Sequence, residues 1–200
     1  MKKEERKRYT NRLKIAKFSA IILLLIQIGF IFVYKLMWDI EKNLGLLQDI
    51  FLYITLPLII LSFFLYWGLV VIARKEKLKS LEVIFWIVFG FSVISNLLNL
   101  LIFNNYGNLP LVEWASFIIF VTAMIYIIFG LSFFQLQNKF GNIVNGAAIP
   151  NILIGIMFLG AGFITISFLS RAIMDIIFLI LEVVVFISVI IIFNKAIKSK

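Results

Sequence analysis

One carboxylic acid lies near the middle of a long apolar run close to the C-terminus. Glu182 is flanked by IIFLIL and VVVF. Asp175 lies two helical turns earlier, so both carboxyl groups share a face if the segment is helical. An ionised carboxylate inside an apolar layer costs several kcal/mol unless it is paired. The two acids are therefore candidates for a hydrogen-bonded neutral group or for a site that binds a proton or a cation.

Amide side chains in two other apolar runs are candidate partners for these acids. Asn96 and Asn99 follow Ser92 and Ser95 at spacings that put all four on one helix face. Gln27 lies in the middle of the first apolar run. The alternative role for such amides is hydrogen bonding between helices, worth about 0.6–2 kcal/mol each. We predict that the following residues converge on an internal polar core: Gln27, Asn96, Asn99, Asp175 and Glu182.

The residue types that are absent exclude several kinds of chemistry. The chain contains neither cysteine nor histidine. Disulfides, thiol nucleophiles, Cys/His zinc sites and histidine acid–base catalysis are therefore excluded. The sequence also contains no G-x-S-x-G motif, no glycine-rich phosphate loop and no paired acidic motif of a metal-dependent lipid transferase. We expect no enzymatic activity, no catalytic residue, no cofactor and no resident metal centre.

Composition and long apolar runs predict an all-α integral membrane bundle of six transmembrane helices. Hydrophobic residues make up 63% of the chain and charged residues 14%, with a mean hydropathy of +1.10. Soluble domains contain about 45–50% apolar and about 25% charged residues. The runs are continuous rather than alternating, which favours helices over a β-barrel. The predicted spans are about 18–36, 50–73, 83–103, 114–135, 149–169 and 172–193.

The six spans form one predicted transmembrane domain, residues 18–195, between a basic arm at 1–17 and a basic tail at 196–200. The fifth span is the least regular, because several turn-forming residues cluster at its entrance: Asn142, Asn145, Gly146, Pro150 and Asn151. Pro150 is predicted to lie in its first turn, where a missing N–H is tolerated. The alternative for residues 140–170 is a re-entrant segment, which would leave five spans.

Basic residues predict the orientation of the chain. If the N-terminus is cytoplasmic, 16 lysines and arginines lie inside and 3 lie outside. Cytoplasmic loops carry such an excess, so the pattern predicts a multi-pass protein of the cell membrane with both termini inside. The arm is also expected to contact anionic lipid at the cytoplasmic face, and no nucleic-acid binding is expected. Its basic residues are Lys2, Lys3, Arg6, Lys7, Arg8, Arg12, Lys14 and Lys17.

Three small residues recur at intervals of seven in the fifth predicted span. They are Ala148, Gly155 and Gly162. Small side chains on one helix face let the backbone of a neighbouring helix approach closely. These positions are therefore predicted to mediate helix packing.

Three stretches, FGLSFFQLQNKFG, GIMFLGAGFITIS and LEVVVF, resemble the C-terminal half of small uncharacterised multi-spanning prokaryotic membrane proteins. The resemblance implies a fold type and no activity. Two functions fit the sequence. One is a non-enzymatic membrane subunit or scaffold, which binds other membrane subunits or its own copies. The other is a small transporter or channel-like protein that binds a proton or cation through Glu182 and Asp175. The lack of a deep basic counterpart favours the scaffold.

Overall fold

The protein, seen as a computed structural model, consists of long α-helices joined by short links. The structure describes the backbone of residues 3–37, 40–104, 110–163 and 168–199, and the side chains of 4–29, 45–46, 49–50, 52–97, 120–160 and 176–199. Six helices are long, and α5 is a single turn between two 3₁₀ turns, Phe134–Leu136 and Gly141–Val144. The helices are α1 (Lys3–Met37), α2 (Ile40–Lys75), α3 (Lys79–Asn104), α4 (Pro110–Phe133), α5 (Gln137–Phe140), α6 (Asn145–Phe163) and α7 (Phe168–Lys198).

The long helices form a closed ring in the order of the chain. Each of α1, α2, α3, α4, α6 and α7 packs against the helix before it and the helix after it. α7 also packs against α1, which closes the ring. The polar interior site described below lies inside this ring.

The closest approach between two backbones is a seam between α4 and α6. A Cβ added to Gly155 would lie 2.6 Å from the carbonyl oxygen of Ala123, and one added to Gly130 would lie 2.6 Å from that of Ala148. We call these four residues the α4–α6 seam. Ala148 and Gly155, two of the three small residues singled out in the sequence, thus lie against α4. The surroundings of Gly162 lie outside the described part of the chain.

An aromatic core fills the half of the ring between the seam and the chain termini. The rings of Phe129 and Phe133 are 4.9 Å apart, and Phe85 of α3 lies 5.7–5.8 Å from both. Gly68 of α2 is packed against Ala16 of α1 and Phe193 of α7, so a Cβ there would overlap α1 and press against the Phe193 ring. Dispersion and close packing at these contacts hold α1, α2, α3 and α7 at fixed distances.

Charged contacts hold together one end of the bundle, which we call the basic end: residues 4–17, 74–82, 134–145 and 194–199. Here Lys195 Nζ donates to the carbonyl oxygen of Phe140 at 3.0 Å, and Lys139 pairs with Glu76 at 3.4 Å. Gly141, which follows Phe140 in the chain, has a backbone φ of +69°, a left-handed conformation that glycine adopts without steric cost. The α2–α3 turn is closed by Lys77, a non-glycine residue in the left-handed region at φ +60°.

The N-terminal basic segment forms the first turns of α1, and its side chains contact α2. The ammonium group of Lys75 lies 4.6 Å from the ring centre of Tyr9, and the Arg12 guanidinium lies 5.1 Å from that of Trp67. Burial, with a smaller contribution from the Glu76 carboxylate, raises the pKa of Tyr9 to about 12. The basic side chains of Arg6, Lys7, Arg8 and Lys14 are exposed, whereas that of Lys17 is half-buried. The side chains of Lys2 and Lys3 lie outside the described residues.

The all-α prediction is confirmed, and the described residues form helices and turns without a strand. Four of their helical stretches are long and apolar enough to cross a membrane: Leu52–Lys75, Lys79–Leu97, Phe120–Gly160 and Ile176–Lys198. The third combines parts of α4 and α6 around the turn at Gly141. The predicted position of Pro150 was wrong: α6 begins at Asn145, so this proline lies inside the helix. The small residues that precede it extend the helix by one turn.

Candidate functional site

Glu182 of α7 accepts a hydrogen bond from a tyrosine of α4, the helix on the far side of α6. The Tyr126 hydroxyl of α4 donates to Glu182 Oε1 across 3.3 Å. This distance is longer than the usual 2.7–2.8 Å of an O–H···O bond. The carboxyl group is therefore held in place while its oxygens keep room for a further partner.

A cavity of about 80 Å³ lies beside this hydrogen bond. We call it the Glu182 cavity. Four long helices line it, and each contributes one polar side chain. The remaining lining is aliphatic or aromatic. The polar residues are Tyr66 of α2, Tyr126 of α4, Asn151 of α6 and Glu182 of α7.

Close helix contacts explain why these side chains reach the same level. Gly146 lies against Ser188 and the ring of Phe158 lies 4.6 Å from that of Phe178, so α6 and α7 run antiparallel and Asn151 lies level with about residue 183. The pairing of Gly130 with Ala148 likewise puts Tyr126 level with about residue 152 of α6. Positions without a bulky side chain thus align three polar groups from three helices.

The amide of Asn151 is oriented by its own helix. Its Nδ2 donates to the carbonyl oxygen of Ala147 at 2.7 Å, which uses the donor end of the amide. Asn151 lines the cavity, its Oδ1 is the atom of the amide that can accept or ligate, and the side chain is only 2% exposed. Tyr66 lines the same cavity and is close enough to Glu182 for a direct electrostatic interaction. The cavity therefore collects carboxylate, amide and phenol oxygens.

The structure describes the side chains of three of the five residues that the sequence grouped together. Asn96 donates to the carbonyl oxygen of Ser92, one turn back on α3, at 2.7 Å. Neither Asn96 nor Gln27 is among the residues that line the Glu182 cavity. The side chains of Asn99 and Asp175 lie outside the described residues. Among the three predicted core residues whose side chains are described, Glu182 is thus the one that lines the cavity.

Sequence reasoning missed two tyrosines and misassigned an asparagine. Tyr126 lies near the centre of the fourth predicted span, where a hydroxyl group needs a hydrogen-bond partner. Tyr66 lies on the same face of α2 as Thr55 and Ser62, and the side chains of Thr55 and Ser62 are buried. Asn151 was grouped with the residues at a helix entrance. A search for polar residues on apolar helix faces, including hydroxyls, would have found all three.

The site contains none of the usual metal-binding clusters. In the part of the chain that the structure describes, no three His, Cys, Asp or Glu residues come together. Glu182 thus stands as a single acid among neutral oxygen donors.

Comparison with known proteins gives no similar family, no similar characterised protein and no similar solved structure. The class of the protein therefore follows from its own features. In its described residues it is an all-helical protein with several helices able to cross a membrane, and its helical ring holds a largely apolar cavity that contains one carboxylic acid.

Proposed function

We propose that the chain crosses the cell membrane six times, with both termini in the cytoplasm. Six long helices packed in a ring support this count. The shortest, α6, has 19 residues and is about 28 Å long, close to the roughly 30 Å of a hydrocarbon core. The arrangement of charge supports the orientation, because the basic end collects both termini and the α2–α3 and α4–α6 links.

We further propose that the protein is a small transporter or channel-like protein that handles a proton or a cation at Glu182. The observation that carries this proposal is the Glu182 cavity, where four helices each bring one oxygen-bearing side chain to an 80 Å³ space. Ionisable residues inside a membrane protein are costly and usually mark an ion or proton pathway. No enzymatic step is proposed.

The second candidate is a non-enzymatic membrane subunit or scaffold. The hydrogen bond from Tyr126 to Glu182 favours it, because a neutral carboxylic acid bonded across the ring would fix how α4 and α7 pack. In this case Glu182 would hold its proton permanently, and other subunits or further copies of the chain would bind the outer helix faces.

Ion flux in proteoliposomes distinguishes the two functions. Wild-type protein and Glu182→Gln are reconstituted at equal density, and a pH-sensitive dye and a radioactive cation report flux under an imposed gradient. Transport predicts flux in the wild type and at least a tenfold loss in Glu182→Gln. Glu82→Gln is the matched control, because this carboxylate pairs with Arg74 at the basic end. Equal, background-level flux in all three proteins would favour the scaffold.

The membrane topology can be tested by labelling single introduced cysteines, because the chain has no cysteine of its own that would react. Single cysteines at positions 8, 77, 141 and 198 are expected to react with a membrane-impermeant maleimide only after the cells are opened. Single cysteines at positions 44 and 107 are expected to react in intact cells. Labelling of position 198 in intact cells would contradict an even number of spans.

A further inference from the structure

The donor atoms at the Glu182 cavity are all oxygens. Glu182 offers a carboxylate, Asn151 its Oδ1, and Tyr66 and Tyr126 their phenol groups. Oxygen-only ligand sets suit hard cations, whereas transition metals prefer imidazole or thiolate ligands. The chemistry of the cavity thus favours an alkali or alkaline-earth ion over a redox metal.

The charge of the site distinguishes between an alkali ion and an alkaline-earth ion. Glu182 is the one charged residue in the lining, and no lysine or arginine faces it there. An ion in a low-dielectric interior is tolerated when its charge is neutralised by a partner. One carboxylate neutralises a monovalent cation, whereas a divalent ion would leave a net positive charge inside the ring.

The size of the site excludes larger ligands. A cavity that holds one water needs at least about 10–15 Å³ by this measure, so 80 Å³ accommodates an ion with a few waters. Pockets for organic ligands are typically about 300–1,000 Å³. The Tyr126 hydroxyl uses one of the roughly four lone-pair sites of a carboxylate, so Glu182 can also accept such an ion.

We infer that Glu182, Asn151, Tyr66 and Tyr126 bind one partly dehydrated monovalent metal cation inside the helical ring. The inference rests on the proposed function in that both use Glu182, but binding is measured separately from transport. Bound cation joins α2, α4, α6 and α7 through one centre. Cation binding is therefore expected to stabilise the folded protein.

Thermal unfolding with Na⁺ as the probe tests this inference on the full-length protein in detergent. NaCl replaces choline chloride at constant ionic strength, and ²²Na⁺ binding is measured in parallel. Each tenfold rise in free Na⁺ above its dissociation constant is expected to raise Tm by roughly 3–5 °C. Glu182→Gln is expected to abolish both the shift and the ²²Na⁺ signal.

A milder variant keeps the test valid if Glu182→Gln fails to fold. Tyr126→Phe removes one hydroxyl group and is expected to weaken Na⁺ binding about tenfold, the effect of one hydrogen-bond-sized contact of roughly 1.4 kcal/mol. Its matched control is Tyr53→Phe, since Tyr53 is 75% exposed on the same protein. This control is expected to bind Na⁺ like the wild type.

The outcomes separate this inference from the proposed function. Saturable Na⁺ binding that depends on Glu182, without flux in proteoliposomes, supports the cation site and rejects transport. Flux without any Na⁺ binding supports transport and overturns the cation site. A Tm that rises on acidification and ignores Na⁺, Li⁺ and K⁺ also overturns it, because Glu182 would then hold a proton instead.

Discussion

The α4–α6 seam and the Glu182 cavity lie on neighbouring faces of the same two helices, yet they are packed in opposite ways. At the seam, small residues bring the two backbones so close that one added carbon would lie 2.6 Å from a carbonyl oxygen. At the cavity, about 80 Å³ remains between large side chains. Tyr126 follows the seam residue Ala123 by three positions, and Asn151 follows Ala148 by three.

The difference shows that dense packing and a polar space depend on each other. The seam sets the distance between α4 and α6 to what two glycines and two alanines permit. Tyr126 and Asn151 then project from a rigid pair of helices, and α2 and α7 complete the enclosure from the other side. A site held by a rigid pair keeps its donor atoms in place, which ion binding requires.

The largest loss of stability is expected from a bulky side chain at the α4–α6 seam. Gly155→Leu places its Cβ 2.6 Å from Ala123 O and 3.1 Å from Ile127 N, and backbone atoms cannot yield as flexible side chains can. We expect a loss of about 3 kcal/mol or more of unfolding free energy, beyond ordinary overpacking. Denaturant titration in detergent measures it.

Gly160→Leu is the matched control for this substitution. Gly160 lies on the same helix, and a Cβ there meets nothing within 4 Å. Its stability is expected to stay equal or to rise by up to about 1 kcal/mol, since glycine is a poor helix former. Equal losses for both variants would show that the seam is not a close contact.

The second effect is expected from removing the acid of the cavity. Glu182→Ala leaves the Tyr126 hydroxyl without this acceptor and enlarges the cavity. A loss of about 1–3 kcal/mol is expected. Glu182→Gln retains an acceptor oxygen and is expected to lose less than half as much. If Glu182→Gln proves as unstable as Glu182→Ala, the charged form of the carboxyl supports the fold.

A small increase in side-chain volume, of one or two carbons, should have opposite effects in the two regions. Val189 lines the cavity and is 2% exposed, so Val189→Ile fills space and is expected to stabilise the protein by about 0.5–1 kcal/mol. Ala148→Val adds bulk at the seam and is expected to destabilise it by about 1–3 kcal/mol. Thermal unfolding in detergent compares them. Two changes of the same sign would remove the contrast between seam and cavity.

The smallest effect is expected at the basic end, outside both regions. Tyr9 keeps its proton to a pKa of about 12 in the folded protein, against an ordinary value of 10. Its contribution to stability is therefore complete below pH 10 and lost as pH rises from 10 to 12. Tyr9→Phe should lose less stability than wild type over this interval, as measured by denaturant titration at pH 9, 11 and 12. Parallel losses would exclude a role for this hydroxyl.

The helices were predictable because their signal is local. Uninterrupted apolar runs of about 20 residues indicate helices directly, and α2, α3 and α7 contain the predicted spans 50–73, 83–103 and 172–193. Helix ends were less predictable. Pro150 was predicted near a helix start, but Asn145 and the small residues after it extend α6 by a turn.

Partners across the ring were not predictable, since helical faces meet only after every helix has taken its position. Asn96 looked like a partner for Glu182 at a similar depth, yet it bonds to its own helix. The actual partner, Tyr126, is 56 positions away in the chain. Depth along a helix can be read from residue counts, whereas rotation about the axis depends on contacts such as Gly146 with Ser188.

The sequence by itself determined an all-helical apolar chain, the exclusion of cysteine and histidine chemistry, and an acid in the middle of its last helix. The tertiary structure decided what surrounds that acid. Small residues bring α6 against α4 and α7, and this close packing places the amide of Asn151 and the phenol of Tyr126 beside Glu182, while α2 adds the phenol of Tyr66. Composition is a property of the chain, but a binding site needs side chains from several helices at one point, and only packing brings them there.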